Sequence, residues 1–312
     1  MFHPETQIIF IHQGNSWYLP YALYQAQATN PDRPINLLGN GQSWRGIKTT
    51  SLMDLESDPI RQFRANYQHL STNPREFELF CWLRWFYLFN YLQQNNLPAV
   101  LYLDSDALLY SSLEEINQTY HHFNGYCALS IPQQSTQPFI WSASAHVSYW
   151  TRESLGDFCQ FCLDSFSPGA TLTRYQEKWH WHCQNQKPGG ICDMTTLYFF
   201  WEAHQSEILN LAKRYQGHVF DHNINVSGNY ENPQYQIHNG IKRLEFIHNI
   251  PYFFPQNPDL PGDRVHLLHC QGKAKTLLPQ LYRGSPFPRK FLADTEGYVR
   301  HLKQRLTPGS SS

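Results

Sequence analysis

Ala99-Val100-Leu101-Tyr102-Leu103-Asp104-Ser105-Asp106 decides the reading of this chain: five apolar residues run without a break into two carboxylates separated by one hydroxyl. An uninterrupted apolar run of that length predicts a strand buried on both faces, the kind found in parallel sheets covered by helices. In open α/β sheets ligands gather beyond the carboxyl ends of the strands, and Asp104 and Asp106 stand at that end. Two carboxylates around one small residue can face a single cation, and hard oxygen donors suit Mg²⁺ or Mn²⁺. The same triplet also suits a turn or a helix cap. Two neighbouring acids beside a sheet repel each other, however, unless a cation lies between them.

Reading outward, the flanks repeat the same grammar. Residues 7–12 form a short apolar run rich in β-branched side chains, followed by Gln13-Gly14-Asn15. A helix is predicted over 19–28, a second strand over 35–39 and a largely buried helix over 74–94. Alternating strands and helices predict a mixed α/β domain with a mostly parallel sheet flanked by helices. Downstream, the pattern predicts a strand at 128–131, a helix at 149–166, an irregular excursion at 167–190 and a helix at 193–204. Beyond Phe220, frequent Asn, Gly and Pro predict an irregular C-terminal half with short strands near 234–238 and 265–269. The expectation is one domain over 1–306 with a disordered polar tail at 307–312.

Composition narrows the function classes. The chain has 312 residues, 41% hydrophobic and 16% charged, with a formal net charge of -1. That balance supports a sizeable core and supplies no basic footprint for nucleic acid. The seven cysteines are an odd, scattered set rather than a disulfide framework, which points to a reducing compartment. No stretch is apolar and long enough to predict a transmembrane span, and the first residues lack the signature of a secretory signal. A cytoplasmic protein, with room for peripheral membrane association, is expected.

Two motifs together resemble a known group. Leu101-Tyr102-Leu103-Asp104-Ser105-Asp106 resembles the D-x-D element of GT-A fold glycosyltransferases. His269-Cys270-Gln271-Gly272-Lys273-Ala274-Lys275 is similar to the H-x-x-G-x-x-K element that closes family 8 and related transferases, although Thr276-Leu277 stand where that family commonly carries Pro-Trp. The resemblance implies a GT-A, Rossmann-like fold and transfer of a sugar from a nucleotide-sugar donor, a UDP-sugar, to a carbohydrate or other hydroxyl-bearing acceptor. It implies Mn²⁺ or Mg²⁺ held by Asp104, Asp106 and His269, with Ser105, Gly272 and Lys275 at the diphosphate. Arg84 resembles the basic residue such enzymes carry ahead of the triplet. Asp193, after Gly189-Gly190, is expected either to act as base or to orient a sugar, and it also suits a helix N-cap.

The loop after the first strand stands where such folds bind the nucleoside, so Asn15, Tyr18 and the neighbouring Trp17 are candidates for holding the base. Asn223 and Asn225 are candidates for the sugar pocket and equally for turns. Cys159, Cys162, His180, His182 and Cys183 invite a zinc reading, against which the cysteines fall on one helical face with Phe158. The competing functions are a non-catalytic nucleotide- or carbohydrate-binding relative and a nucleotidyltransferase, for which Gln13-Gly14-Asn15-Ser16 lacks the basic glycine-rich loop.

Overall fold

The computed structural model describes residues 2–40 and 43–284. The end of the predicted domain and the predicted tail at 307–312 lie outside them. Strand β1 (Gln7–Ile11) leads through α1 (Leu19–Thr29) to β2 (Ile35–Leu38) and β3 (Ile47–Thr50). Helices α2 (Asp58–Asn66) and α3 (Arg75–Gln94) precede β4 (Ala99–Leu103), β5 (Ala107–Leu109), α4 (Leu113–Thr119), β6 (Cys127–Ser130) and β7 (Ser144–Thr151). Three helices follow, α5 (Arg152–Asp164), α6 (Ala170–Gln184) and α7 (Asp193–Ala203), then β8 (Ile208–Asn210) and β9 (His218–Phe220). Short strands β10 (Ile237–His238), β11 (Ile241–Lys242), β12 (Leu244–Ile247) and β13 (Ile250–Phe253) lead to β14 (Asp263–His269) and α8 (Leu278–Leu281).

The main sheet has seven strands in the order β3-β2-β1-β4-β7-β6-β8, and only β7 runs against the others. Strand alternation divides its core in two. Ile9, Ile11, Val100 and Tyr102 face one way and pack with Trp82 and Trp85 of α3, Phe158 of α5 and Phe199 of α7. Ile8, Phe10, Leu101 and Leu103 face the other way and meet Leu19 and Leu23 of α1 and Leu113 of α4. The fold is therefore the mixed α/β layer structure, with a mostly parallel sheet between helices, that the apolar runs predict. No helix among the described residues is long and apolar enough to cross a membrane.

Two predicted segments differ. The helix expected over 149–166 begins only at Arg152, because Tyr149 and Trp150 complete β7 and point into opposite cores. Thr151 then caps α5, its hydroxyl accepting from the Ser154 amide in a reciprocal capping box. The excursion at 167–190 contains a helix, α6, whose buried side is only Tyr175 and Lys178. A helix that buries so little leaves almost no apolar period in its sequence.

A second sheet, β12-β13-β14-β5 with β9 beside β14, places the C-terminal part of the chain against the triplet. Strand β5 leaves the main sheet directly after Asp106 and pairs antiparallel with β14, with His269 opposite Ala107. Asp104-Ser105-Asp106 is thus the corner where the chain passes from one sheet to the other.

Candidate active site

A cleft of about 590 Å³ opens over this corner, at the carboxyl ends of β1 and β4. Backbone hydrogen bonds hold the corner on both sides: the Asp104 amide donates to the His146 carbonyl at 2.8 Å, and the Cys270 amide to the Asp106 carbonyl at 3.0 Å. The two carboxylates then turn to different partners.

Asp104, 28% exposed, reaches into a network whose other members are buried. Its Oδ1 accepts from the Tyr102 hydroxyl at 2.5 Å and from Arg84 Nη1 at 3.1 Å. The same guanidinium reaches Asp193 Oδ2 through Nη2 at 2.5 Å and Nε at 3.2 Å, and the Trp85 indole adds a third bond to that oxygen at 3.0 Å. Arg84 comes from the middle of α3 and Asp193 from the first position of α7, so a fixed fork joins two helices to the triplet. Burial opposes the charge on Arg84, but Asp193, Tyr102 and Asp104 outweigh it and hold its pKa well above the ordinary value. Gly190 sets the approach to α7: at φ +139° its Cα lies so close to the 70–71 backbone that a Cβ there would stand 2.3 Å from the Leu70 carbonyl oxygen.

Asp106 faces the C-terminal motif. Its Oδ2 meets Lys275 Nζ at 2.9 Å, and its Oδ1 lies 3.6 Å from His269 Nε2. Burial opposes the charge on Lys275, and Asp106 more than offsets this, so its pKa is raised. His269 Nδ1 lies 2.7 Å from the His222 carbonyl oxygen. A carbonyl only accepts, so Nδ1 carries a proton, and Nε2 is the ring atom turned toward Asp106.

Two of the three expected metal ligands, Asp106 and His269, therefore come together with suitable donor atoms, and Asp104 does not join them. Among the described residues no group of three or more His, Cys, Asp and Glu side chains is arranged to hold a metal ion. The physical reason is the buried guanidinium of Arg84, which takes Asp104 on one side and Asp193 on the other.

The other expected residues separate similarly. Ser105 lines the cleft and bonds His12 Nδ1 at 3.0 Å. Tyr18 lines it too, with Lys275 Nζ 5.1 Å from its ring centre. Asn15 is exposed and lies off the cleft wall, and Trp17 packs edge-on against Tyr18 and Tyr21. Gly272 adopts φ +59° at the start of a short turn, with open space where a Cβ would stand, so its backbone conformation rather than crowding calls for glycine. Asn223 and Asn225 tie their loop to Gln271, through bonds of 2.9 and 3.3 Å, and serve as fasteners. The zinc set does not assemble: Cys159 and Cys162 are buried on α5 with thiol pKa values pushed up by burial, and His182 Nδ1 lies 3.2 Å from the Lys187 carbonyl oxygen.

Sequence reading missed several residues here. His12 directly follows β1, bridges Ser105 and Ser16 Oγ (2.9 Å), and its pKa is lowered by burial. The rule that picked out Asp104, a polar residue at the carboxyl end of an apolar strand, would have found it. Glu78 lines the cleft at 2% exposure, accepting from Ser71 Oγ at 3.0 Å and Asn73 Nδ2 at 2.7 Å, and burial raises its pKa. Beneath His269, His146 stacks ring to ring at 4.1 Å, and burial holds its pKa well below the ordinary value. Asp221 anchors both imidazole-bearing strands: its Oδ2 accepts from the His269 amide at 3.1 Å, and its carbonyl accepts from His146 Nε2 at 2.8 Å. Its Oδ1 meets Lys242 Nζ at 2.5 Å in a fully buried pair. No local pattern announces these contacts.

No family model and no curated protein matches the chain. Among solved structures, it is similar to an active-site mutant of LgtC, at 16% identity over 92% of this chain and 99% of that one, with a TM-score of 0.48. It is also similar to the galactosyltransferase LgtC in complex with donor and acceptor sugar analogues, at 14% identity, the same coverage and a TM-score of 0.46. Mouse xyloside xylosyltransferase 1 in its apo form aligns at 11% identity over 66% of this chain and 84% of that one, with a TM-score of 0.46. All three are glycosyltransferases, and the chain is similar to them in fold.

Proposed function

We propose that this chain is a GT-A glycosyltransferase that moves a sugar from a nucleotide-sugar, a UDP-sugar, to a hydroxyl-bearing acceptor. The observation that carries the reading is the meeting of Asp106 with His269 and Lys275, two motifs distant in sequence that the β5–β14 pairing brings to one cleft. Asp106 and His269 would hold Mn²⁺ or Mg²⁺, an oxygen and a nitrogen donor of the kind those ions accept. Such an ion, when bound, neutralises a diphosphate leaving group.

The chain's own residues do the rest. Lys275 presents a mobile ammonium to the diphosphate, and Tyr18 offers a ring beside it for the uracil. Asp193, with one oxygen accepting three bonds from Arg84 and Trp85, is better suited to orienting Arg84 toward the donor sugar than to taking a proton. A cytoplasmic setting belongs to this reading and is supported by the seven cysteines standing as free thiols.

The test is hydrolysis of a panel of nucleotide-sugars by the purified protein with Mn²⁺, beside Asp106→Ala. Metal-dependent release of the nucleotide by the wild type alone is expected. Metal-dependent binding without any turnover would instead identify a non-catalytic binder, and neither binding nor turnover across the panel would sink the proposal.

A further inference from the structure

A second cleft, of about 430 Å³, lies beside β8 at the edge of the main sheet and shares no lining residue with the active-site cleft. Its surface is aromatic and cationic. Tyr215 is enclosed by His122, stacked at 4.4 Å, and by Tyr120 at 5.6 Å, so the rings left to meet a ligand are Trp201, from the last turn of α7, and Tyr230. Lys213 Nζ stands 4.8 Å from the centre of the Tyr230 ring. Arg214, its neighbour, is engaged by Asp263 at 2.5 Å, whereas among the described residues no carboxylate pairs with Lys213 and none lines the cleft.

Tyr120 supplies the independent sign of a ligand. It lines this cleft at 2% exposure, and its hydroxyl is a buried polar atom with no hydrogen-bond partner among the described residues. Burying such a group unpaired is unfavourable, and a bound hydroxyl or carboxylate would relieve it. Flat indole and phenol faces match the C–H faces of a pyranose, and Gln205 and Lys213 add donors at the rim. A cationic cleft without carboxylates favours a sugar that carries negative charge.

We propose that the cleft bounded by Trp201, Tyr230, Lys213 and Tyr120 is a second carbohydrate site, separate from the active-site cleft, that binds a uronic-acid residue of an oligosaccharide. Trp201 stacks on the ring, Lys213 pairs with the carboxylate and the Tyr120 hydroxyl bonds a ring substituent. The site stands whether or not the active-site cleft transfers sugar.

The test is calorimetric titration of the full chain with trigalacturonate and with the neutral trisaccharide maltotriose. Binding of trigalacturonate is expected, weakened roughly tenfold by Trp201→Ala, the scale set by an aromatic contact. Lys213→Met, at an exposed position, is expected to abolish the preference for the charged sugar while leaving the melting temperature unchanged. Asp106→Ala should leave trigalacturonate binding intact. No binding of either sugar, binding indifferent to both Trp201→Ala and Lys213→Met, equal affinity for the neutral trisaccharide, or loss of binding in Asp106→Ala would each overturn the proposal.

Discussion

Asp104 and Asp106 are separated by one serine, yet they serve different sides of the cleft. On the Arg84 side, Asp104, itself 28% exposed, meets a guanidinium 11% exposed, which also holds an Asp193 side chain 2% exposed, so two of the three groups are buried on α3 and α7. On the Lys275 side, Asp106, 11% exposed, meets an ammonium 28% exposed and an imidazole 6% exposed at the cleft wall. The first arrangement has few ways to move without leaving a charge buried and alone. In the second only the ammonium of Lys275 reaches water, and it can swing away to an incoming ligand while its charge stays solvated. The triplet is therefore two carboxylates with two sets of partners, and under the proposed function only Asp106 is left for the ligand.

Removing the guanidinium should have the largest effect. Arg84→Ala leaves Asp193 and Asp104 without their countercharge, and breaking a buried pair in this way costs about 3–5 kcal/mol. Urea unfolding of the variant reads it directly. Arg84→Lys should recover little, because an ammonium cannot span Asp104 and Asp193 as a planar fork does. A loss below about 1 kcal/mol would show that the Arg84 side is as replaceable as the Lys275 side, against the range for buried pairs.

The second effect is on the same side and follows pH. Lys178 is 4% exposed and donates to the Ile140 and Trp141 carbonyls and to Thr195 Oγ1, two residues into α7 from Asp193. Burial lowers its pKa to about 8 from the ordinary value of 10.5. Below the lowered value the ammonium is charged in both folded and unfolded states, and the native state bears the whole desolvation penalty. As pH rises from about 8 to 10.5 the unfolded chain keeps the proton that the native chain has lost, so stability rises with pH. The recovery is roughly 3 kcal/mol at most. Lys178→Met should flatten that rise in unfolding experiments across the window; an unchanged slope would remove Lys178 from this account.

The main sheet and the triplet were legible because both are local: apolar runs announce their strands, and the acids sit where such strands end. The β14 motif was legible as well, and its pairing with β5 made the distant pieces meet. What no local pattern shows is the partner of each charge. Arg84 reads as the basic residue ahead of the triplet, and only the packing of α3 between β4 and α7 reveals that it joins Asp104 to Asp193. Nothing in their local sequence marks Lys242 and Asp221, yet they form a fully buried pair, and Asp221 also holds the His269 amide. Helix α6 escaped for the opposite reason, because it buries too little to mark its period.

Gly190 offers a smaller handle on the Arg84 side. Alanine there would combine a strained positive φ with a Cβ placed 2.3 Å from the Leu70 carbonyl oxygen and 2.7 Å from Ser71 Cα. Backbone strain of this kind is worth roughly 1–3 kcal/mol, and relief by separating the two loops would move Asp193 away from Arg84. The melting temperature of Gly190→Ala should fall by less than that of Arg84→Ala. A fall that matches it would show that the loop contact, not the ion-pair fork, carries the stability of this side.

Asp106→Asn should produce the smallest stability change and the largest functional one, and the contrast tests the division of labour most directly. The substitution keeps the shape of the side chain and removes a charge whose partner, Lys275, is already 28% exposed to water. Although Asp106 is 11% exposed, the Lys275 ammonium left behind stays in contact with water, so the unfolding curve should move less than for Arg84→Ala, which strands the buried Asp193. The same change removes the charged oxygen donor beside His269 Nε2. The rise in melting temperature that Mn²⁺ together with UDP is expected to give the wild type should vanish in the variant, since a ligand stabilises only the state that binds it. Asp104→Asn should behave the other way, with Tyr102 and Arg84 losing their charged acceptor inside the protein and stability falling by more. If both variants lose stability equally and both keep the Mn²⁺-dependent shift, the two aspartates share one task and the split between the two sides of the cleft is wrong.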